Sequence, residues 1–213
     1  MRQRARSRAR SLIDQVRDRV RRRWAPEAAS AEQHWLRQRL NDSISGRIGE
    51  LDCATLTAVE ISGSGQAERG WKHFEELDYP AFDLCAPTPQ PGQFDVVICQ
   101  QVLEHVVNPW RAATTLADLC VPGGLVIVST PFMVRVHELP FFGLRDYWRF
   151  TPRGLATLLE QAGLVVDQVD SWGNRDCVAA NLDYWAKYEP WHSLRNEDEM
   201  PLQVWAFARK PVG

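Results

Sequence analysis

The sequence of 213 residues contains no run of about 18 consecutive apolar residues, the length that a transmembrane helix requires. It has only five cysteines, and none of them belongs to a CxxC pair or a cysteine–histidine cluster: Cys53, Cys85, Cys99, Cys120 and Cys177. An odd number of scattered cysteines argues against a disulfide framework and against a structural zinc site. We therefore expect a cytoplasmic protein with reduced thiols and no stable membrane insertion.

Acidic residues are scarce at the start of the chain, where positive charge is concentrated. Residues 1–24 contain ten arginines against Asp14 and Asp18, a local charge of +8 that leaves −10 for the remainder. This segment lacks the apolar core of a secretory signal peptide. Five apolar residues recur in it at helical spacing: Leu12, Ile13, Val16, Val20 and Trp24. The spacing predicts an amphipathic helix that ends near Pro26, and a second helix is predicted over residues 29–40.

We interpret residues 1–50 as a basic helical extension. The interpretation that we favour is a helix docked on the body of the protein or on a sister subunit. We expect the protein to be a homodimer. The alternatives are contact with an anionic membrane surface and contact with nucleic acid. The acidic body argues against nucleic acid, and so does the sequence QQVL at residues 100–103, which lacks a target-base motif.

From residue 56 onward, short apolar runs alternate with segments of helical periodicity. The strand-like runs cover residues 56–62, 94–99, 125–132, 164–172 and 201–210. The helical segments cover residues 109–120 and 152–162. This alternation predicts a doubly wound α/β fold with a parallel sheet covered on both faces. Ligands of such sheets bind at the carboxyl ends of the strands.

A glycine turn follows the first predicted strand, in the sequence EISGSG at residues 60–65. Glycine allows the backbone to approach a ligand closely. Asp78 lies 18 residues after Glu60, a separation suited to an acid that binds ribose hydroxyls. The alternative for Asp78 is a solvated acid beside Glu75 and Glu76.

Two later segments are more specific: FDVVICQQVLEHV at residues 94–106 and VPGGL at residues 121–125. In their order and spacing they resemble the small class I S-adenosylmethionine-dependent methyltransferases of type 11. The resemblance covers about residues 56–172 and the final strand. It implies a mostly parallel, seven-stranded Rossmann-like sheet with helices on both faces, in a methyltransferase domain over residues 51–213.

The resemblance also implies cofactor contacts by Glu60, Gly63, Gly65, Asp78, Asp83, Leu84 and Gln100. Glu60 takes the place of the acid near the methionine amino group of S-adenosylmethionine, and Gln100 faces the methionine part. Asp78 matches the ribose-binding acid, Asp83 matches the acid at the adenine amino group, and Leu84 packs on the adenine ring. The sequence departs from the family pattern at Glu60, which replaces an aspartate, and at Ser62, which replaces a glycine. A catalytically silent cofactor-binding module is therefore an alternative to an enzyme.

Two segments are predicted to face the substrate, residues 133–151 and residues 173–200. The first segment follows a strand end and carries three candidate catalytic or orienting groups, His137, Glu138 and Asp146. The fourth candidate, His105, lies in the turn after residue 100. His137 is the first candidate for a general base and His105 the second, because histidine titrates near neutral pH. Glu138 or Asp146 would orient the His137 ring. The two acids could also hold a divalent metal ion, although their spacing alone does not show one.

Candidate substrate-binding residues follow in the DYWRFT sequence and just before it: Arg145, Tyr147, Trp148 and Arg149. Nine tryptophans, several of them near these segments, favour a saccharide acceptor, because a flat aromatic face packs well on a sugar ring. The resemblance likewise points to O-methylation of an oligosaccharide or polysaccharide hydroxyl. The alternative acceptor is a small aromatic or polyketide-like natural product.

Overall fold

The computed structural model describes residues 34–87, 91–138 and 143–212. Within them the chain forms six strands: β1 (Thr57–Ile61), β2 (His73–Leu77), β3 (Phe94–Gln100), β4 (Cys120–Pro131), β5 (Val165–Trp172) and β6 (Gln203–Arg209). It also forms four α-helices: α1 (Gln38–Gly49), α2 (Pro109–Leu119), α3 (Pro152–Gln161) and α4 (Arg175–Ala180). Four short 3₁₀ turns complete the elements: Trp35–Arg37, Cys53–Thr55, Ala67–Arg69 and Leu103–His105.

All six strands belong to one mixed sheet in the order β2-β1-β3-β4-β6-β5. The first four strands of this order run parallel, whereas β6 is antiparallel to both β4 and β5. The sheet of the described residues therefore has six strands, one fewer than the seven implied by the resemblance. Between β2 and β3 the described residues form turns, in which the N–H of Phe82 donates to the carbonyl of Asp78 and the N–H of Ala86 donates to that of Asp83.

The connection between β1 and β2 contains no α-helix. Only the 3₁₀ turn Ala67–Arg69 lies there, and Gly70 follows it with a φ of 77°. The connection is too short for the helical crossover that normally joins parallel strands. The opening at the carboxyl end of β1 is consequently bordered by a loop.

Helices α2 and α3 cover one face of the sheet, where Leu116 and Leu155 pack with Val97 and Val126 of the strands. Both helices begin at a proline preceded by a capping side chain. The Asn108 side chain accepts a hydrogen bond from the backbone N–H of Arg111, and Thr151 accepts one in the same way. These caps satisfy amide groups that the first turn of a helix leaves unpaired.

Helix α1 packs on the opposite face of the sheet. Its buried residues Leu40, Ile44 and Ile48 recur every four positions and lie in one core with Ile98 and Phe207. The predicted helix over residues 29–40 ends too early, because the apolar stripe that forms α1 continues to Ile48. In the described part of that range, only residues 38–40 belong to α1. The helix predicted to end near Pro26 lies outside the described residues. Residues 34–50 share a core with the sheet, so the boundary drawn at residue 50 does not separate two cores there.

Among the residues that the structure describes, no helix has both the length and the apolar character needed to cross a bilayer.

Candidate active site

A cleft of about 540 Å³ opens at the carboxyl ends of β1, β2 and β3. Its wall contains groups that follow each of these strands: Ile61, Ser62, Tyr79, Gln101 and Val102. The remainder of the wall includes Phe82, Asp83 and Leu84. The volume lies within the usual range for small-molecule sites, and the mixture of apolar surface with one acid suits a nucleoside.

Two residues leave their strands in a left-handed backbone conformation at this cleft. Ser62 follows β1 with a φ of 54°, and Gln101 follows β3 with a φ of 57°. The N–H of Ser62 donates to the carbonyl of Leu77 at 3.0 Å, and the N–H of Gln101 donates to the carbonyl of Ser129 at 2.8 Å. Non-glycine residues in this conformation are uncommon and cluster at ligand sites.

Glu60 lies beneath the cleft and is almost fully buried. Its Oε2 accepts a hydrogen bond from the N–H of Gln66 at 2.9 Å, and Nε2 of Gln100 lies 3.5 Å from its Oε1. A Cβ atom on Gly63 would lie 3.1 Å from that same Oε1, so glycine gives the carboxylate its space. Burial raises the pKa of Glu60, although the hydrogen bonds from Gln66 and Gln100 oppose this shift.

The residues predicted to contact the cofactor occupy two positions relative to the cleft. Asp83 and Leu84 line it directly, and the Oδ1 of Asp83 accepts a hydrogen bond from the N–H of Cys85 at 2.8 Å. Asp78 is exposed directly after β2, beside the cleft residue Tyr79. The other four lie in or around the loop beneath the cleft: Glu60, Gly63, Gly65 and Gln100. The role of each toward a cofactor remains a prediction.

A second pocket of about 250 Å³ adjoins the cleft, and Gln101 and His105 line both. Its wall is rich in charged and polar groups: His34, Leu36, Arg37, Gln101, Glu104, His105, Pro131, His137, Trp185 and Gln203. The cleft and this polar pocket are thus separated by a wall only one residue thick at two points. This is the arrangement that a reaction between a cofactor and a second substrate requires.

His105 and His137 face each other in the polar pocket, with ring centroids 5.0 Å apart and ring planes at 85°. Nδ1 of His105 lies 2.7 Å from the carbonyl oxygen of Arg145, which can only accept, so this nitrogen donates. Nδ1 of His137 donates to the carbonyl oxygen of Arg135 at 3.3 Å, and Oδ2 of Asp146 lies 3.1 Å from the same nitrogen. In both rings the partner of Nδ1 leaves Nε2 to act as an acceptor.

The pKa of His137 is lowered by burial, which outweighs the opposing effect of Asp146. The ring is therefore neutral at physiological pH and can accept a proton or bind a metal ion.

Glu104 is fully buried in the 3₁₀ turn that ends at His105. Neither of its carboxylate oxygens has a hydrogen-bond partner among the described residues. Burial raises its pKa to about 8, while the positive charge of Arg37 opposes the shift. An unpartnered buried carboxylate is costly, and such groups mark functional sites.

The remaining predicted residues lie in the segment after β4, and their side chains differ in how far they are buried. The Asp146 side chain is fully buried and accepts hydrogen bonds from the guanidinium of Arg149 and from the N–H of His137. Glu138 instead pairs with Arg145 at 3.2 Å, with both side chains well exposed. Of the two acids proposed to orient His137, Asp146 is the one in contact with the ring.

Tyr147 lines the larger cleft, and its N–H donates to the carbonyl of Glu104 at 2.7 Å. Trp148 donates from Nε1 to the carbonyl of Val106 at 2.9 Å and packs against Trp110. Arg149 is held by Asp146 and by backbone carbonyls. Trp148 and Arg149 thus support the site, although their part in substrate binding remains a prediction.

The sequence did not identify Arg37, Gln101 or Glu104 as functional. Arg37 lies within residues 1–50, the segment that the sequence predicts to be an extension. A positive φ at Gln101 has no signature in the sequence. An acid directly before His105 at a strand end was the one signal that could have drawn attention to Glu104.

Comparison with protein families matches residues 22–169, more than half of the chain, to the family described as "Methyltransferase domain". The ubiquinone biosynthesis O-methyltransferase of Bordetella pertussis is 27% identical over 181 residues, which cover 66% of this chain and 74% of that protein. The protein with the same description from Burkholderia pseudomallei strain 1710b is 30% identical over 141 residues. That match covers 60% of this chain and 59% of the relative, so the chain spans somewhat more than half of its length.

One solved structure is similar over almost the whole chain. It is the Burkholderia thailandensis 1,6-didemethyltoxoflavin-N1-methyltransferase with bound 1,6-didemethyltoxoflavin and S-adenosylhomocysteine, with a TM-score of 0.57. The match covers 95% of this chain and 90% of that one at 12% identity, which supports a common fold.

Proposed function

This chain belongs to the family of S-adenosylmethionine-dependent methyltransferases, and on that premise we propose that it methylates a hydroxyl oxygen of a small acceptor. The cofactor supplies an electrophilic methyl group, so the protein has to position the acceptor and help its proton leave. The observation that carries the proposal is the wall formed by Gln101 and His105, which borders both the cleft and the polar pocket.

The cofactor fits the larger cleft. Phe82 and Leu84 offer apolar faces to an adenine ring, and Asp83 offers a carboxylate to its amino group. Asp78 is proposed to bind the ribose hydroxyls, as the resemblance implies. Glu60 is proposed to meet the methionine amino group, with Gly63 leaving space for its carboxylate.

An aromatic hydroxyl is the acceptor that we favour for the polar pocket. The rings of His137 and Trp185 lie 5.5 Å apart at 85°, an edge-to-face arrangement that offers aromatic surface to a flat ligand. The relatives named as O-methyltransferases support an oxygen acceptor.

The saccharide expected from the sequence receives no support from these relatives. Two of the tryptophans that motivated it are otherwise engaged, since Trp148 packs on Trp110 and Trp172 is buried in the core.

His137 is the proposed proton acceptor in the protein without a bound metal ion, and His105 is the second candidate. The carbonyl of Arg135 holds the His137 ring through Nδ1, and the charge of Asp146, 3.1 Å from the same nitrogen, stabilises the protonated ring, which is how an acid supports a histidine base. The hydroxyl proton passes to Nε2 while the oxygen takes the methyl group. S-adenosylhomocysteine leaves as the second product.

Incubation of the purified chain with S-adenosylmethionine and three acceptor groups tests the proposal. The groups are catechols and hydroxybenzoates, simple sugars and oligosaccharides, and primary amines. We expect S-adenosylhomocysteine release together with a gain of one methyl group on the phenolic acceptors. Methylation of the amines alone would contradict an oxygen acceptor, and methylation of the sugars alone would restore the saccharide. Cofactor binding without turnover on any acceptor would favour a silent binding module.

A homodimer remains a prediction of the sequence. Light scattering on the full chain and on a variant that lacks residues 1–24 would measure its mass. We expect the shortened chain to keep its affinity for the cofactor, because every residue proposed to bind it lies after residue 59.

A further inference from the structure

We infer that Glu104, His105 and His137 form a binding site for a divalent transition-metal ion at the edge of the polar pocket. One ligand atom from each residue lies within 4.8 Å of the other two. Two imidazoles and one carboxylate on one side of an ion leave coordination positions open for a substrate oxygen. The role of the ion in catalysis rests on the proposed function, whereas binding of the ion does not.

Glu104 supplies the first independent argument. Its side chain is fully buried, and neither carboxylate oxygen has a hydrogen-bond partner in the described part of the chain. Nε2 of His105 lies 3.8 Å from Oε1 of Glu104, which is too far for a hydrogen bond. Burial of a carboxyl group without a hydrogen-bond partner is unfavourable. A cation between Glu104 and the imidazoles would satisfy it.

The two imidazoles supply the second argument, because each is already held through its other nitrogen. The carbonyl of Arg145 accepts from Nδ1 of His105 at 2.7 Å, and the carbonyl of Arg135 accepts from Nδ1 of His137 at 3.3 Å, with Asp146 3.1 Å from that nitrogen. Metal-binding histidines almost always donate their second N–H to a carbonyl or a carboxylate in this way. Both partners fix the ring and direct the Nε2 lone pair away from the supporting group.

The ligand types indicate which ions the site prefers. Two nitrogens and one carboxylate suit Zn²⁺, Co²⁺, Fe²⁺ or Mn²⁺, whereas Mg²⁺ and Ca²⁺ prefer ligand sets made of oxygen. Arg37 lines the same pocket and adds positive charge near Glu104. Arg149 likewise offsets the charge of Asp146. Binding must therefore depend on the nitrogen ligands more than on net negative charge, which again favours a transition metal.

In the ion-bound enzyme, the acceptor hydroxyl would give up its proton more easily, because a bound cation stabilises the anionic oxygen. The O–H bond breaks with the proton passing to solvent, the oxygen–methyl bond forms, and the sulfur–methyl bond of the cofactor breaks. His105 and His137 then act as ligands, in place of the direct base proposed for the ion-free protein.

Titration of chelator-treated protein with Co²⁺ and with Zn²⁺, followed by calorimetry and visible absorption, tests the site. We expect one ion per chain. Glu104→Gln, His105→Ala and His137→Ala should each lower the affinity at least about tenfold, and Asp146→Asn should lower it by about 10–100-fold. His73→Ala is the matched control, because His73 is an exposed histidine that also lies beside an acid, Glu75, at 2.9 Å.

Several outcomes would overturn the assignment. The first is that the protein binds no ion. The second is that His105→Ala and His137→Ala both bind the ion with the affinity of the wild type. The third is a thiolate charge-transfer band, which would show that Co²⁺ is bound by cysteines. Circular dichroism checks the fold of each variant. Where Glu104→Gln fails to fold, the thermal shift produced by Zn²⁺ in His105→Ala and His137→Ala decides, because an ion that binds only the native state raises the melting temperature.

Methylation assays on ion-free and ion-bound protein distinguish this inference from the proposed function. Full O-methylation by ion-free enzyme would remove the catalytic role of the ion and leave the methyltransferase proposal intact. An ion bound through Glu104, His105 and His137 in a protein that methylates only amines would establish the site and overturn the proposed acceptor.

Discussion

His105 and His137 meet edge to face in the polar pocket, with their ring centroids 5.0 Å apart. They arrive there from different segments, since His105 ends the 3₁₀ turn after β3 and His137 lies in the segment after β4. Because β3 and β4 are neighbouring parallel strands, their carboxyl ends lie side by side. The order of the strands therefore brings together two imidazoles that are distant in the sequence.

Replacement of His137 by alanine is expected to reduce kcat strongly. A general base typically contributes about 10²–10⁴-fold to the rate, and loss of a metal ligand would act in the same direction. His137 does not line the larger cleft, so the affinity for S-adenosylhomocysteine should remain nearly unchanged. Steady-state kinetics with a phenolic acceptor and calorimetry with S-adenosylhomocysteine measure the two effects.

His73→Ala serves as the control for this prediction, because His73 is exposed on β2 and pairs with Glu75. It should change neither kcat nor cofactor affinity. Nearly normal turnover in His137→Ala with a collapse in His105→Ala would move the role to His105. Nearly normal turnover in both variants would show that neither imidazole takes part.

The positions of five of the six described strands and of α2 and α3 could be predicted because apolar runs and helical periodicity alternate after residue 56, whereas β2, with the sequence HFEEL, contains no apolar run. The boundaries differ mainly at β4, which begins at Cys120 because Cys120 pairs with Phe94 across an irregularity in which Gly123 takes a φ of 81°. Helix α1 was misplaced because its apolar residues are separated by polar ones and by Gly46. The number of strands was implied by a family pattern, whereas the described residues between β2 and β3 form turns.

The sequence predicted the two histidines and Asp146 but not how they are connected. Asp146 rather than Glu138 contacts His137, a choice that depends on how the segment folds back and that spacing cannot reveal. The burial of Glu104 follows from packing between the turn after β3 and the segment from Arg145 to Tyr147. Burial of that kind has no local signal, because it depends on contacts between segments far apart in the chain.

Asp78→Ala is expected to weaken cofactor binding. A charge-assisted hydrogen bond from ribose to this carboxylate would contribute about 1.5–3 kcal/mol, which corresponds to a loss of affinity of about 10–150-fold. Asp52→Ala is a matched control, because Asp52 is equally exposed and precedes β1 away from the cleft. Calorimetric titration with S-adenosylhomocysteine compares the variants, and unchanged affinity in Asp78→Ala would remove the ribose assignment.

Glu60→Gln is expected to stabilise the cofactor-free protein at neutral pH while it weakens cofactor binding. Burial raises the pKa of Glu60 in the folded state above its value in the unfolded state. The stability that comes from the protonated side chain is therefore fully present below the unfolded-state pKa, and it is lost as the pH rises through the folded-state pKa. The glutamine stays neutral and can still accept the hydrogen bond from the N–H of Gln66.

The melting temperature of Glu60→Gln should therefore exceed that of the wild type at pH 7–8, and the difference should shrink toward about pH 4, near the ordinary pKa of glutamate. The exposed Glu68 provides the control variant Glu68→Gln, which should show no such pH-dependent difference. Equal melting temperatures of Glu60→Gln and wild type across this range would show that the carboxylate is not penalised by burial.

Trp185→Leu is expected to raise the KM for an aromatic acceptor without changing the affinity for the cofactor. Trp185 lines the polar pocket, stands edge to face with His137, and carries the guanidinium of Arg135 on its ring at 4.2 Å from the centroid. An aromatic contact of this kind contributes about 0.5–1.5 kcal/mol beyond the buried area, so KM should rise by about 2–13-fold.

Trp191→Leu is the matched control, because Trp191 belongs to the same segment but is 77% exposed. Steady-state kinetics with a phenol and with a sugar distinguish the acceptor classes, since the loss should be confined to the phenol. An equal rise of KM in Trp185→Leu and Trp191→Leu would show that the acceptor does not contact Trp185 in the polar pocket.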